Sequence, residues 1–79
     1  MSKIPYVDSN GPVQATVKLS HASDVFLVDS INFRKYQTGQ RFSYYGGHFT
    51  KTPVTISAPK AGRWYLIVNG SPRYQYSFN

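Results

Sequence analysis

The sequence predicts an all-β protein, a small antiparallel β-sandwich or partly open barrel of about six strands. Two observations favour this class. Short stretches rich in β-branched and aromatic residues alternate hydrophobic and polar positions, which is the period of a strand with one buried face. Gly, Pro, Asn and Ser interrupt these stretches about every ten residues, as turns do in small sandwiches and barrels. Because short turns would join successive strands, we expect the strands to pair antiparallel.

The first two predicted strands differ in their pattern. Residues 12–20 alternate cleanly, so their hydrophobic positions would face the core: Val13, Ala15, Val17 and Leu19. Residues 21–24 are typical of a polar turn. Residues 25–29, VFLVD, are hydrophobic without alternation, which indicates a strand covered on both faces.

The middle of the chain is less regular. Residues 30–39 are short and rich in β-forming residues, so we expect at most a single helical turn there. Asp29 would accept hydrogen bonds from the backbone N–H groups that follow it, as a residue capping a turn does. Asn32 would be a residue with left-handed backbone angles or a turn residue. Residues 41–47, RFSYYGG, predict a tyrosine-rich strand that ends at two glycines.

Three further strands complete the prediction. Residues 53–58 alternate again, with Val54, Ile56 and Ala58 inward. Residues 63–69, RWYLIVN, form the strongest strand pattern in the chain, and we expect this strand to be central. Trp64 would anchor the core from it. Residues 73–78 place Tyr74, Tyr76 and Phe78 on one face, and we expect this strand to be a sheet edge through which a second copy could pair.

The 79 residues suffice for one domain, with residues 1–10 as an N-terminal arm and residues 11–79 as a single β-sandwich domain. The sequence contains no cysteine, so disulfides cannot support the fold, and we expect a cytoplasmic location. The core would depend on aromatic residues instead: seven Tyr, five Phe and one Trp. No hydrophobic run is long enough to cross a membrane, so we expect no membrane partner.

The charge is uneven along the chain. Residues 1–29 carry two lysines and three aspartates, whereas residues 30–79 carry seven lysines and arginines and no acid. Such one-sided charge favours an anionic partner, such as nucleic acid or a nucleotide. The alternative is a basic surface that binds nothing in particular, because the cations do not cluster beyond Arg34 and Lys35.

The sequence offers little for catalysis, and we predict that the protein is not an enzyme. Asp24 and Asp29 lie five residues apart, on or flanking a single predicted strand, which places them on opposite faces unless a bulge intervenes, a poor arrangement for shared acid–base chemistry. His21 and His48 lack the spacing of metal ligands, and no nucleophile motif is present. We therefore expect no metal and no cofactor.

Two stretches could be structural or functional. Gly46 and Gly47 would allow a bulged corner in which His48 donates to a backbone carbonyl, or a rim where tyrosine, His48 and Lys51 meet a ligand. Arg63 and Tyr65 would form a basic-aromatic surface for stacking if their face is open. The alternative is that Tyr65 packs under the second sheet.

Four stretches in order carry a family resemblance: "VKLSHASDVFLVD", "NFRKYQTG", "YYGGHFTKTPV" and "PKAGRWYLIV". Together they resemble a small bacterial family, the domain-of-unknown-function family eighteen eighty-three, from about Val13 to the C-terminus. The resemblance implies a compact all-β sandwich of antiparallel strands with no assigned chemistry. Members are sometimes joined to TIR domains, which implies a recognition module in immune signalling.

We therefore expect a non-enzymatic binding or interaction module, such as a sensor or adaptor in bacterial defence or a phage protein that counters it. The alternative is a binder of nucleic acid or a small anionic nucleotide through a basic-aromatic surface. A protein partner is expected first, and a homo-oligomer through a sheet edge is a further prediction. The predicted ligand or partner surface comprises Asn32, Phe33, Arg34, Lys35, Tyr36, Arg41, Tyr44, Tyr45, Gly46, Gly47, His48, Lys51, Arg63 and Tyr65.

Overall fold

The computed structural model describes residues 4–70 and 73–78. These residues form seven strands and one helix. In chain order they are β1 (Tyr6–Ser9), β2 (Val13–Leu19), β3 (Ser23–Asp29), α1 (Ser30–Gln37), β4 (Tyr45–Phe49), β5 (Val54–Ala58), β6 (Gly62–Asn69) and β7 (Tyr74–Phe78). The predicted all-β class is confirmed, since the single helix is short.

The strands form two antiparallel sheets that face each other as a sandwich. The first sheet has the order β1-β6-β3-β4 and the second the order β5-β2-β7. Strand β6 lies inside the first sheet and pairs with both β1 and β3, which confirms the prediction that it is central. Strand β7 pairs with β2 alone and is an edge strand, as predicted. Pairing of two copies through β7 stays a prediction.

The core lies between the two sheets and follows the alternation in the sequence. The register places Ala15 opposite Ile56 and Val17 opposite Val54, so the inward positions of β2 and β5 share one face. Trp64 is 5% exposed and Leu66 is fully buried, so β6 contributes the largest side chains to this core. Of the positions predicted to face inward on β2, only Leu19 is partly buried rather than buried.

The predicted strand count was one short because of β1. Its residues had been assigned to the N-terminal arm, but Tyr6–Ser9 pair with β6. The Leu66 N–H also donates to the Pro5 carbonyl at 2.9 Å. Four residues carry too weak a pattern to predict a strand alone, and the edge of β6 supplies the missing hydrogen-bond partner.

Two further boundaries differ from the prediction. Residues 30–37 form eight residues of helix rather than a single turn, because the sheet packs against one side of the segment. Strand β4 begins at Tyr45 and continues through Gly46 and Gly47 to Phe49, so the glycines lie within the strand and do not end it. No helix within the described residues is long and hydrophobic enough to cross a membrane.

Helix α1 lies on the outer face of the four-stranded sheet, away from the sandwich core. The alternation of β3 and β6 points Val28 and Ile67 to this face, where they are 0% and 3% exposed. Phe33 of α1 packs on Tyr65 of the same face. The helix therefore sits on a second hydrophobic layer, and residues on its opposite side, Ile31 among them, are exposed.

Candidate functional site

Helix α1 begins at a cap made by Asp29. This residue has extended backbone angles, and its Oδ1 accepts hydrogen bonds from Asn32 N at 2.9 Å and Asn32 Nδ2 at 2.8 Å. Asn32 Oδ1 in turn accepts from the Ser43 N–H at 2.8 Å. The prediction of a capping Asp29 is confirmed. Asn32, however, is helical rather than left-handed, because its side chain joins α1 to the segment before β4.

The inner side of α1 is aromatic. The Phe33 ring stacks on the Tyr65 ring with centroids 4.0 Å apart, and Tyr6 lies 5.8 Å from Tyr65. Tyr36 packs edge-on against Phe42 at 5.4 Å. Helix α1, rather than the second sheet, therefore packs on Tyr65. Stacking partners of Tyr65 come from within the chain.

Arg63 is tied down beside this cluster. Its Nε donates to Asp8 Oδ1 at 2.7 Å and its second guanidinium nitrogen to Oδ2 at 3.1 Å, while the guanidinium carbon lies 4.7 Å from the Tyr6 ring centroid. The hydrogen bond from Arg63, together with its positive charge, lowers the pKa of the Asp8 carboxyl. Arg63 thus holds β1 to β6.

The outer side of α1 forms a groove of about 380 Å³, here called the α1 groove. Ile31 is one of its lining residues, and 70% of this residue is exposed. Arg34 and Lys35 follow Ile31 by three and four positions, so all three lie on one face of the helix. The remaining lining residues are Ser30, Thr38 and Gln40.

Every carboxylate side chain of the described residues has a partner, whereas most cations do not. Asp8 pairs with Arg63, Asp24 contacts His48, and Asp29 caps α1. Seven cations of the described residues have no carboxylate of that part of the chain within 4.0 Å: Lys18, Arg34, Lys35, Arg41, Lys51, Lys60 and Arg73. Three of these, Arg34, Lys35 and Arg41, belong to α1 and the segment that follows it.

Strand β4 contains Gly46, Gly47 and His48, for which the sequence allowed either a bulged corner or a ligand-binding rim. His48 Nδ1 lies 2.9 Å from Asp24 Oδ1, so its partner is a carboxylate rather than a backbone carbonyl. The two side chains are 61% and 48% exposed, and this contact lies at the surface instead of in a deep cleft. Gly46 has a φ of +137°, and a Cβ there would overlap the Val25 carbonyl oxygen. The absence of a side chain at Gly46 therefore allows β4 to pair closely with β3.

A second cavity, here called the Asp29 cleft, opens beside the start of α1. It measures about 320 Å³ and is lined by Asp29, Asn32, Ser43, Tyr44, Tyr45, Lys60 and Trp64. Trp64 Nε1 donates to the Lys60 carbonyl at 3.0 Å, and the Tyr45 ring packs edge-on against the indole at 5.6 Å. These contacts fix the wall of the cleft to the sandwich core.

The residues predicted as a ligand surface fall into separate groups. Arg34 and Lys35 line the α1 groove, and Asn32, Tyr44 and Tyr45 line the Asp29 cleft. The others lie elsewhere: Phe33, Tyr36 and Tyr65 in the aromatic layer, Arg41 in the segment after α1, Arg63 on β6, Gly46, Gly47 and His48 on β4, and Lys51 in the turn before β5.

Eight lining residues of the two cavities were absent from the predicted surface: Ser30, Ile31, Thr38 and Gln40 in the α1 groove, and Asp29, Ser43, Lys60 and Trp64 in the Asp29 cleft. Ile31 was overlooked, although its spacing from Arg34 and Lys35 is that of one helix face. Lys60 lies between β5 and β6, and nothing in its local sequence indicates that it lines the same cleft as Asp29.

Comparison with known proteins gives one family. The family model described as "Domain of unknown function (DUF1883)" matches residues 10–77. No curated protein and no solved structure matches the chain. Because the match spans most of the sequence, the chain belongs to the DUF1883 family.

Proposed function

We propose that the chain is a non-enzymatic interaction module whose α1 groove binds an acidic segment of a partner protein through an apolar anchor residue. The observation that supports this most is Ile31, which is 70% exposed on the same helix face as Arg34 and Lys35, two cations that have no carboxylate partner among the described residues. A lone exposed aliphatic residue is ordinary on a protein surface. Here it lines a concavity together with Arg34 and Lys35.

The composition of the groove favours a protein over nucleic acid. The aliphatic stems of Arg34 and Lys35 extend the apolar surface around Ile31, while their charged ends form a rim. A partner that inserts a Leu, Ile or Phe side chain and surrounds it with Asp or Glu would satisfy both parts. A phosphate backbone would neutralise the rim but leave Ile31 without an apolar contact.

The helix is held rigidly enough to act as a docking face. Phe33 stacks on Tyr65 beneath it, Asp29 caps its start, and Asn32 bonds to the Ser43 N–H beside it. A surface that is already ordered loses less conformational freedom when a partner binds. A role of this module in bacterial defence, or in a phage protein that counters it, stays a prediction based on family resemblance.

A peptide-display selection against the purified protein tests the proposal without assuming a partner. We expect the enriched peptides to combine a large apolar residue with several Asp or Glu residues. Their binding should weaken about tenfold or more in Ile31→Ala and in the double variant R34E/K35E, because each change removes one part of the groove. Circular dichroism of the variants would confirm that the fold is retained.

The matched control is the double variant K18E/R73E. Lys18 and Arg73 lie on and beside the second sheet, and both double variants change the formal net charge from +6 to +2. Selected peptides should bind K18E/R73E nearly as well as wild type. Equal losses in the two double variants would indicate non-specific attraction and contradict the proposal.

Nucleic acid is the competing outcome. The probe is a 20-nucleotide single-stranded DNA, followed by fluorescence anisotropy at about 50 and about 200 mM salt. If the DNA binds tightly through Arg34 and Lys35, with a steep loss at the higher salt, and no acidic peptide is enriched, the proposed protein partner is wrong.

A further inference from the structure

The Asp29 cleft lies apart from the α1 groove, and its chemistry differs. Its volume of about 320 Å³ falls at the lower end of the range for small-molecule pockets, about 300–1,000 Å³. Residues far apart in sequence form it, from the end of β3, the start of α1, the start of β4 and the turn before β6. Some of their polar groups are still available to a ligand.

Only one of the two oxygens of the Asp29 carboxylate accepts a hydrogen bond within the described residues. Oδ1 accepts both hydrogen bonds from Asn32, and Oδ2 accepts none within residues 4–70 and 73–78. Lys60 lines the same cleft but forms no ion pair with Asp29. The acceptor and the cation are therefore held apart in one cavity, and a ligand placed between them could meet both.

The aromatic residues supply the apolar part of the cleft. Tyr44 and Tyr45 are 48% and 38% exposed, so each presents part of its ring surface to solvent. Trp64 lies behind them and is held through its Nε1. Exposed rings beside a carboxylate and a hydroxyl, here that of Ser43, suit a ligand with one apolar face and several polar edge groups.

We infer that the Asp29 cleft binds the vicinal hydroxyls of a sugar ring. A carboxylate accepts hydrogen bonds from neighbouring hydroxyls, as acidic residues do from ribose in dinucleotide sites. Lys60 would donate to a ring or hydroxyl oxygen, and the C–H face of the sugar would pack on a tyrosine. An anion would face the Asp29 charge and a cation would face Lys60, so a neutral, hydroxyl-rich ligand fits best.

The test uses NMR on the whole chain with two sets of probes at about 10 mM, where a Kd in the millimolar range is detectable. The first set is methyl glucoside and methyl mannoside, and the second is adenosine and 2′-deoxyadenosine. We expect saturation transfer to the sugar C–H protons and amide shifts confined to the cleft. Binding by the methyl glycosides would identify a glycan. Binding by adenosine that is lost in 2′-deoxyadenosine would identify a ribonucleoside.

The key variant is Asp29→Asn, because asparagine caps helices as well as aspartate does but replaces one acceptor with an amide N–H₂ group. We expect this variant to remain folded and to bind the sugar about tenfold more weakly. Asp24→Asn makes the same chemical change on the same strand, outside the cleft, and should bind like wild type. The variant R34E/K35E should also bind sugars normally, which separates this site from the α1 groove.

Three results would overturn the inference. One is the absence of any shift in the cleft with all four probes. Another is equal affinity of wild type and Asp29→Asn, or equal affinity of adenosine and its 2′-deoxy form without binding of either methyl glycoside. The third is binding of free glycine in the cleft without binding of any sugar, because a zwitterion would then be the ligand that bridges Asp29 and Lys60.

Discussion

Phe33 and Tyr65 stack face to face, with ring centroids 4.0 Å apart and an interplanar angle of 8°. This contact joins α1 to the outer face of β6 and helps to hold a short helix on the β-sandwich. Helices of eight residues are marginal in water without such packing. The orientation of the proposed binding face therefore depends on this pair of rings.

Phe33→Ala should destabilise the protein by about 2 kcal/mol, because it removes buried aromatic area and the stacking contact. Urea denaturation followed by tryptophan fluorescence measures the change. Ile31→Ala is the control on the same helix, and because Ile31 is exposed it should change stability by no more than about 0.5 kcal/mol. Similar losses from both variants would show that the packing of α1 has been misassigned.

Asp29→Ala should cost about 1 kcal/mol, because the Asn32 N–H and the Asn32 amide lose their acceptor. Amide hydrogen exchange should accelerate at the start of α1. Asp29→Asn should retain most of the stability, since asparagine can also accept at this position. If Asp29→Ala exchanged as slowly as wild type, the cap would contribute nothing to the helix.

Gly46→Ala should destabilise the protein by about 1–3 kcal/mol, because alanine is strained at a φ of +137° and its Cβ would overlap the Val25 carbonyl oxygen. Gly11→Ala is the matched control, since a Cβ at Gly11 meets nothing within 4 Å and its backbone is not strained. Thermal unfolding of the two variants compares them directly. Equal melting temperatures would be inconsistent with the β3–β4 pairing described.

The pair of Asp8 and Arg63 predicts in which direction the stability of the fold changes with pH. The pKa of Asp8 in the folded chain is lowered below the ordinary value of 3.8, because Arg63 stabilises the carboxylate. The resulting stability is present above the unfolded pKa of about 3.9 and is lost as the pH falls through the lowered folded value. An NMR titration should give a lower midpoint for Asp8 in wild type than in Arg63→Gln. Coincident midpoints would show that the pair does not form in solution.

The sequence was informative wherever local pattern and burial coincide. Val13, Ala15 and Val17 alternate in the sequence and are buried in the structure, and Trp64 anchors the core as its spacing indicated. Asp29 could be recognised as a capping residue because capping is a local interaction.

The missed features depend on contacts between distant parts of the chain. Strand β1 forms because β6 offers it an edge, and α1 persists because Tyr65 receives Phe33. The cleft between Asp29 and Lys60 is likewise produced by the topology. Periodicity within a short window carries no information about such pairings, so the edge strand, the helix and the cleft had to be read from the structure.

A ¹H–¹⁵N correlation spectrum with the strongest selected peptide would show whether the outer side of α1 is the binding face. We expect the largest shifts in residues 30–40, and we expect them to saturate with added peptide and to disappear in R34E/K35E but not in K18E/R73E. Shifts concentrated on β7 and the second sheet, with α1 unperturbed, would contradict this expectation.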